Sequence, residues 1–353
     1  MLVSYFVMDR SESDSINRSN SAEWWLDERT IIFGNFVRLR GQCARKSLPR
    51  MNLMTAKPLL LDCSIERVGH VTTLLGECPV WDEQQQRLWY LDSRAGHVLD
   101  VDPQDGHACR HEVPPPVGSL ALNDDGRLVL ALRDSLVLYE PTSGKLQVLA
   151  LLDAPQPHWR LNDGTALPDG SFVVGSMHVL RAEGESPQGG IYRLDTLGCL
   201  TTIGPALGVA NGPLVHPRDG RFYIADSAAR RIDSFAIGPD GQLQDRRLMV
   251  STEDLNSAPD GCCVDRDGGL WTALVHAGAL VRFDAAGVLT HRIDLPVQHP
   301  TALCFGGPAL DRLYVTSIRD SGRLRSEGPL DGALLCVRGT GFSGVSRPRC
   351  RIG

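Results

Sequence analysis

No apolar run in this 353-residue chain approaches the roughly 20 residues that a bilayer-spanning helix needs, so no membrane partner is expected. No stretch of basic residues interleaved with aromatics occurs, and the formal net charge is −6; together these speak against a nucleic-acid partner. The ten cysteines, at positions 43, 63, 78, 109, 199, 262, 263, 304, 336 and 350, include no C-x-x-C pair, so zinc-finger spacing is missing. Several of them lie inside apolar runs, where a free thiol packs as a small hydrophobe; reduced thiols in a cytoplasmic protein are the expectation. There is no Gly-x-Ser-x-Gly elbow, which removes the usual signature of a serine hydrolase. Gly189-Gly190 and Gly306-Gly307 match neither a P-loop nor a dinucleotide fingerprint, so NAD- or ATP-dependent chemistry is not expected. Helical periodicity is weak throughout.

What the chain does have is a repeat. One copy begins at Asn211, turns at Arg218-Asp219-Gly220, and continues through apolar runs from Arg221 and Arg231. The next begins at Asp260, turns at Asp267-Gly268-Gly269, and continues from Leu270 and Ala279. Another begins at Asp163, turns at Asp169-Gly170, and continues from Ser171 and Gly190; further copies start near Cys78, Ser119 and Thr301. Short β-branched and aromatic runs separated by Asp-Gly turns read as consecutive hairpins. A period of about 40 to 50 residues is that of propeller blades. The expectation is an all-β, six-bladed β-propeller with four-stranded blades, over residues 56–353. The run from Ser64 to Leu75 precedes the first full blade. It is expected to close the ring by pairing with the C-terminal blade around residues 332–338, which would hide two sheet edges.

Residues 1–50 lack the repeat and contain a polar stretch at 9–22. They show no basic n-region, apolar core and small-residue cleavage site in series, so a signal peptide is not expected. Residues 1–55 are expected to form a disordered or loosely attached extension, with translation starting naturally at Met51 or Met54.

Three of the repeat starts place a hard oxygen donor at the same phase. These are Glu77 in Gly76-Glu77-Cys78-Pro79-Val80-Trp81, Asn211 in Ala210-Asn211-Gly212-Pro213, and Asp260 in Pro259-Asp260-Gly261. Taken singly, each has a plain explanation. Asn-Gly and Asp-Gly are common turn dipeptides, and Glu77 reads as a solvated loop charge. Taken together in one phase of a closed ring, they converge on the axis and compose a metal site. An all-oxygen set suits Ca²⁺, Mg²⁺ or Mn²⁺, with Zn²⁺ also admissible. Three protein ligands leave positions for water and substrate, as in catalytic sites. Arg160 and Asn162, in Arg160-Leu161-Asn162-Asp163-Gly164, occupy the same phase one blade earlier. The guanidinium suits forked hydrogen bonds to a polyhydroxylated or anionic ligand. Asp163 is either an ordinary turn aspartate or a further functional carboxylate. His158, His178 and His276 can reach the channel mouth but stay outside this core set.

These motifs, with Cys304-Phe305-Gly306-Gly307 and Leu313-Tyr314-Val315-Thr316-Ser317, resemble the SMP-30/gluconolactonase/LRE family in five ordered segments from about Ile65 onward. The resemblance implies a six-bladed propeller with one divalent cation at the centre of one face. It maps Glu77, Asn211 and Asp260 onto the metal ligands, Arg160 and Asn162 onto substrate-contacting positions, and Asp260 onto the general base. It implies a lactone hydrolase acting on an aldonolactone such as glucono-, galactono-, xylono- or arabinonolactone, a small-molecule partner for a monomer or weak homo-oligomer. One position departs from the vertebrate pattern, which has a substrate-contacting Glu where this chain has Leu180; Glu183 or Glu185 of the same loop offers a replacement carboxylate. The loop 178–190 is expected to act as a lid. Two other readings share the metal residues: a non-catalytic calcium- or ligand-binding propeller, and a metal-dependent hydrolase of another ester or an organophosphate.

Overall fold

The computed structural model describes residues 57–153, 158–182 and 184–353. Expectations for residues 1–55, including a start at Met51 or Met54, fall outside the described residues, as does Glu183.

Six antiparallel sheets follow one another along the chain. Blades one to five span residues 76–112, 119–151, 159–202, 210–251 and 259–294, each built from four consecutive strands. Blade six takes three strands from residues 300–338 and its outer strand, Ser64–Thr72, from the other end of the repeat region. That strand pairs antiparallel with Ala333–Arg338, from Ser64 opposite Arg338 to Thr72 opposite Ala333. The expected ring closure is therefore present, and it consumes two edges that would otherwise be open. A short strand, Leu59–Leu60, adds parallel to the outer strand Leu289–Asp294 of blade five. The one helical element among the described residues is a 3₁₀ turn at Glu253–Leu255, and no helix is long and apolar enough to cross a membrane.

The strand sequences explain their depth. Inner and middle strands such as Leu128–Ala131, Leu270–Leu274 and Pro300–Gly306 are buried at every position, because each is covered by a neighbouring blade on both faces. Outer strands such as Lys145–Leu151 are largely exposed. The core consequently lies between blades, not within one sheet. Leu91, Leu130 and Tyr139 pack blade one on blade two. Phe222, Ile224 and Val173 pack blade three on blade four. Trp81 of blade one stacks on Tyr314 of blade six at 5.7 Å, across the closure. The Asp-Gly turns sit where expected: Gly170 and Gly268 take φ of 86° and 82°, which L side chains rarely adopt.

Candidate active site

The innermost strands of five blades carry the same irregularity. Register slips by one residue between Glu77 and Val80, Leu161 and Gly164, Asn211 and Leu214, Pro259 and Cys262, and Pro300 and Leu303. Each is a β-bulge, which inserts one residue and re-aims the side chains around it. Glu77, Asn211, Asp260 and Thr301 each follow the first paired residue of their strand, and Asn162 follows Leu161, the last paired residue before its own bulge, so the five stand at equivalent places relative to the bulge. The candidate ligands are thus set within the strands at a bulge, and not in the turns ahead of them as the dipeptides suggest. A bulge fixes a side chain better than a turn does, because the strand is paired on both sides of it.

Glycines allow the strands to approach so closely. A Cβ on Gly261 would lie 2.5 Å from the Ala302 methyl, and one on Gly118 would lie 2.6 Å from the carbonyl oxygens of Leu161 and Asn162. Gly118 lies just ahead of Ser119–Leu122, the innermost strand of the second blade, which pairs without a bulge.

The amides form a chain of hydrogen bonds. Asn162 Nδ2 donates to Asn211 Oδ1 at 2.5 Å and to the Ala210 carbonyl at 2.8 Å. Asn211 Nδ2 donates to Ser227 Oγ at 2.8 Å, and the Ser227 hydroxyl donates to the Pro259 carbonyl at 2.6 Å. The chain fixes Asn211 with Oδ1 on the Asn162 side, where its second lone pair remains for a cation. Both N–H groups of Asn162 are spent, so only its own Oδ1 remains for substrate or ion. Both asparagines are buried, each 7% exposed. Ser227 has no counterpart in the sequence expectation; its link to Asn211 is visible only in the fold.

Charge is concentrated in the same place. Burial pushes Asp260 well above the usual carboxylate range, Asp163 pushes it further, and Arg160 opposes both. Glu77 is raised by burial first, then by Asp260 and Asp163, against the pull of Arg160 and the Cys78 amide. Asp163 is raised by burial, and the amide of Gly212, at 2.8 Å from its Oδ2, opposes that most. Asp163 is accordingly an inner-strand carboxylate joining blades three and four, not a turn residue. Burial lowers Arg160, while Glu77 and Asp260 hold it charged. Its Nη1 meets the adjacent Leu161 carbonyl at 3.1 Å, leaving other donors for a ligand.

Among the described residues no three His, Cys, Asp or Glu side chains gather as a metal cage. The candidate set is of another kind, two carboxylates with an amide. Its chemistry fits a hard divalent cation: Asp260 raises Glu77, and a double positive charge beside both carboxylates would relieve that repulsion.

Around the mouth, Leu180 is 57% exposed. Glu185, one of the two replacement carboxylates, is engaged within its own loop by the Ala182 amide at 2.9 Å and by Gln188, and lies 3.5 Å from His178 Nδ1. His276 donates its amide to Ser257 and its imidazole is lowered by burial and by His299. Cys78 is buried; its Sγ exchanges contacts with the Leu120 backbone at 3.3 and 3.4 Å, and burial raises the thiol far above its usual range. It is a packing residue.

Known proteins place this architecture. Residues 75–319 match the model of the SMP-30/Gluconolactonase/LRE-like region. The chain is 31% identical over 261 residues to pentonolactonase XacC of Haloferax volcanii, covering 73% of this chain and 87% of that protein. It is 29% identical over 288 residues to regucalcin of Xenopus laevis, covering 80% and 96%. In structure it resembles a calcium-binding regucalcin from Agrobacterium tumefaciens, with a TM-score of 0.76 at 24% identity, covering 83% of this chain and 99% of that one; the likeness is one of fold. With a shared propeller and a family match over most of its length, the chain belongs to the SMP-30/gluconolactonase/LRE-like family.

Proposed function

We propose that this protein hydrolyses a sugar lactone to its aldonic acid, with a divalent cation held by Glu77, Asn211 and Asp260. The observation that supports the reading is the shared bulge, at which Glu77, Asn211 and Asp260 hold equivalent places, with Asn162 bonded to Asn211 and Arg160 charge-coupled to both carboxylates. The lactonase named among the relatives supports the substrate class.

When bound, a divalent cation supplies Lewis-acid polarisation of the ester carbonyl. The chain's own groups do the rest. Asp260, held at a high pKa by its buried surroundings, accepts a proton from the attacking water. The water oxygen bonds to the carbonyl carbon, the ring C–O bond breaks, and the departing alkoxide takes that proton back from Asp260 to become the hydroxyl of the aldonic acid. Arg160 donates to the ring ester or neighbouring hydroxyls, and Asn162 Oδ1 accepts from a sugar hydroxyl. Asn211 is oriented by Asn162 and Ser227. Leu180 stands where the vertebrate pattern has a carboxylate, so that pattern does not carry its choice of aldonolactone over to this chain.

A pH-indicator screen over aldonolactones, simple lactones and aryl esters, with EDTA treatment and add-back of Ca²⁺, Mg²⁺, Mn²⁺ and Zn²⁺, tests this directly. Cation-dependent turnover of an aldonolactone, lost in Asp260→Ala, is expected. Cation binding without turnover of any lactone would instead favour a ligand-binding propeller, and preferential aryl-ester or organophosphate hydrolysis would favour a different hydrolase. Near-parental lactonase activity in a folded Asp260→Ala protein would remove Asp260 as the base.

A further inference from the structure

The chain continues beyond its last blade strand along the face opposite the candidate ligands, and its hydrogen bonds follow the blades in ring order. The Arg266 amide of blade five donates to Ser343 O at 2.7 Å, and the Gly344 amide donates to Leu310 O of blade six at 2.7 Å. Arg347 Nη1 donates to Pro79 O of blade one at 3.2 Å, and Arg349 pairs with the buried Asp82 of the same blade. The Cys350 amide donates to Leu122 O of blade two at 2.8 Å, and the Arg351 amide to Gly170 O of blade three at 2.8 Å. One segment thus straps five blades and crosses the far end of the channel.

Arg347 is the residue of this strap that enters the channel wall. A cavity of about 10 Å³, at the lower limit for a single water, is lined by Cys78, Asp163, Pro213, Cys262 and Leu303 from four different blades and the sixth, together with Arg347. Asp163 lies next in sequence to Asn162 and directly bonds the amide that follows Asn211. Two guanidiniums thus act on the carboxylates of this region, Arg160 on Glu77 and Asp260, and Arg347 on Asp163. Arg160 is on the ligand side and Arg347 comes from the floor.

We propose that Arg347 is a positioning residue of the active site, a cation delivered from the C-terminal strap that balances Asp163 beneath the ligand set and so limits how tightly a divalent cation is held. The proposal rests on the reading of Glu77, Asn211 and Asp260 as ligands. It concerns a segment outside residues 75–319, the part matched by the family model. Asp163 and Arg347 act through space, since the Asp163 oxygens are occupied by the amides of Gly212 and Gly164. A charge near the site should outlast any one contact, so lysine should substitute where glutamine does not.

The test is calorimetric titration of EDTA-stripped full-length protein with Mn²⁺ and with Ca²⁺, comparing the parent with Arg347→Gln and Arg347→Lys. Each variant is also measured for melting temperature and for kcat and KM on a lactone. Arg347→Gln should bind Mn²⁺ about tenfold more tightly, because one nearby positive charge no longer opposes a dication. Arg347→Lys should stay within about threefold of the parent. If Arg347 only ties the strap down, both substitutions would lower the melting temperature and leave the Mn²⁺ dissociation constant within twofold; that result overturns the proposal. A parent protein that binds neither ion removes the ligand assignment itself, and this inference with it. Cation binding that ignores Arg347 removes this inference alone.

Discussion

Replacing Asp260 by asparagine should stabilise the cation-free protein while abolishing its catalysis. Glu77 is raised by burial, then by Asp260 and Asp163, and Asp260 is raised by burial and then by Asp163. Two unit charges about 6 Å apart at an effective dielectric of about 20 repel by about 3 kcal/mol. Asparagine keeps the shape and removes the charge, so about 2–3 kcal/mol of repulsion and desolvation should be relieved. Unfolding entropy of about 2.1 cal/mol/K per residue gives about 0.6 kcal/mol/K for a domain of roughly 300 residues, and hence a rise in Tm of about 4 °C. The assay is thermal unfolding in EDTA at pH 7.5, repeated with excess Ca²⁺ or Mn²⁺. The order should reverse with cation present. Binding at 100 times Kd adds about 2.7 kcal/mol to the parent, a gain the variant largely forgoes.

The pH dependence has a definite sign. A carboxylate whose native pKa is raised binds its proton more tightly when folded. Its favourable contribution is complete below the unfolded value near 4 and is lost as pH climbs through the raised native value. The cation-free parent should therefore lose stability from about pH 4 toward neutrality, and Asp260→Asn should flatten that slope. A variant that melts at or below the parent in EDTA, with an unchanged pH slope, would refute the placement of uncompensated charge at Asp260.

Other parts of the ring make separate predictions. Asp265 is fully buried and bonded by Arg282 Nε at 2.6 Å and by Trp271 Nε1 at 2.8 Å, so Arg282→Met should cost about 3–5 kcal/mol and lower Tm by about 5–8 °C. Gly118→Ala places a methyl 2.6 Å from the Leu161 and Asn162 carbonyls; a loss of about 1–3 kcal/mol in unfolding, accompanied by a fall in kcat/KM as Asn162 shifts, is the expected result. Val68 is the buried residue of the closing strand, and Val68→Asp should cost several kcal/mol and expose blade six to limited proteolysis before the other blades. Arg160→Met should raise KM more than it lowers kcat, with Mn²⁺ affinity increased; steady-state kinetics and titration separate the two effects.

How far the sequence could be read depends on whether the determining contact is local. Blade count and closure are local in kind: Asp-Gly turns recur at a fixed period, and an unpaired strand at one end must meet an open edge at the other. The equal phase of Glu77, Asn211 and Asp260 could be read from the repeat, because ring symmetry gives matching positions in successive blades matching places in the ring. The bulge that aims them was not, since an inserted residue is defined by the register of the partner strand and leaves no sign in its own composition. Asn162 shows the same limit at atomic scale. Its residue type announces hydrogen bonding, but only the fold shows that both N–H groups are spent on blade four, making it an orienter of Asn211. Asp163, beside a glycine, has the signature of a turn and the location of a core carboxylate. The tail lies furthest from legibility. Residues 343–352 lack the repeat, so phase says nothing about them. Their three arginines acquire meaning from acceptors more than 170 positions away, at Pro79, Asp82 and Asp169. A contact of that span cannot be inferred from spacing. It is also the kind on which a ring depends, because it ties blades that no sheet hydrogen bond connects.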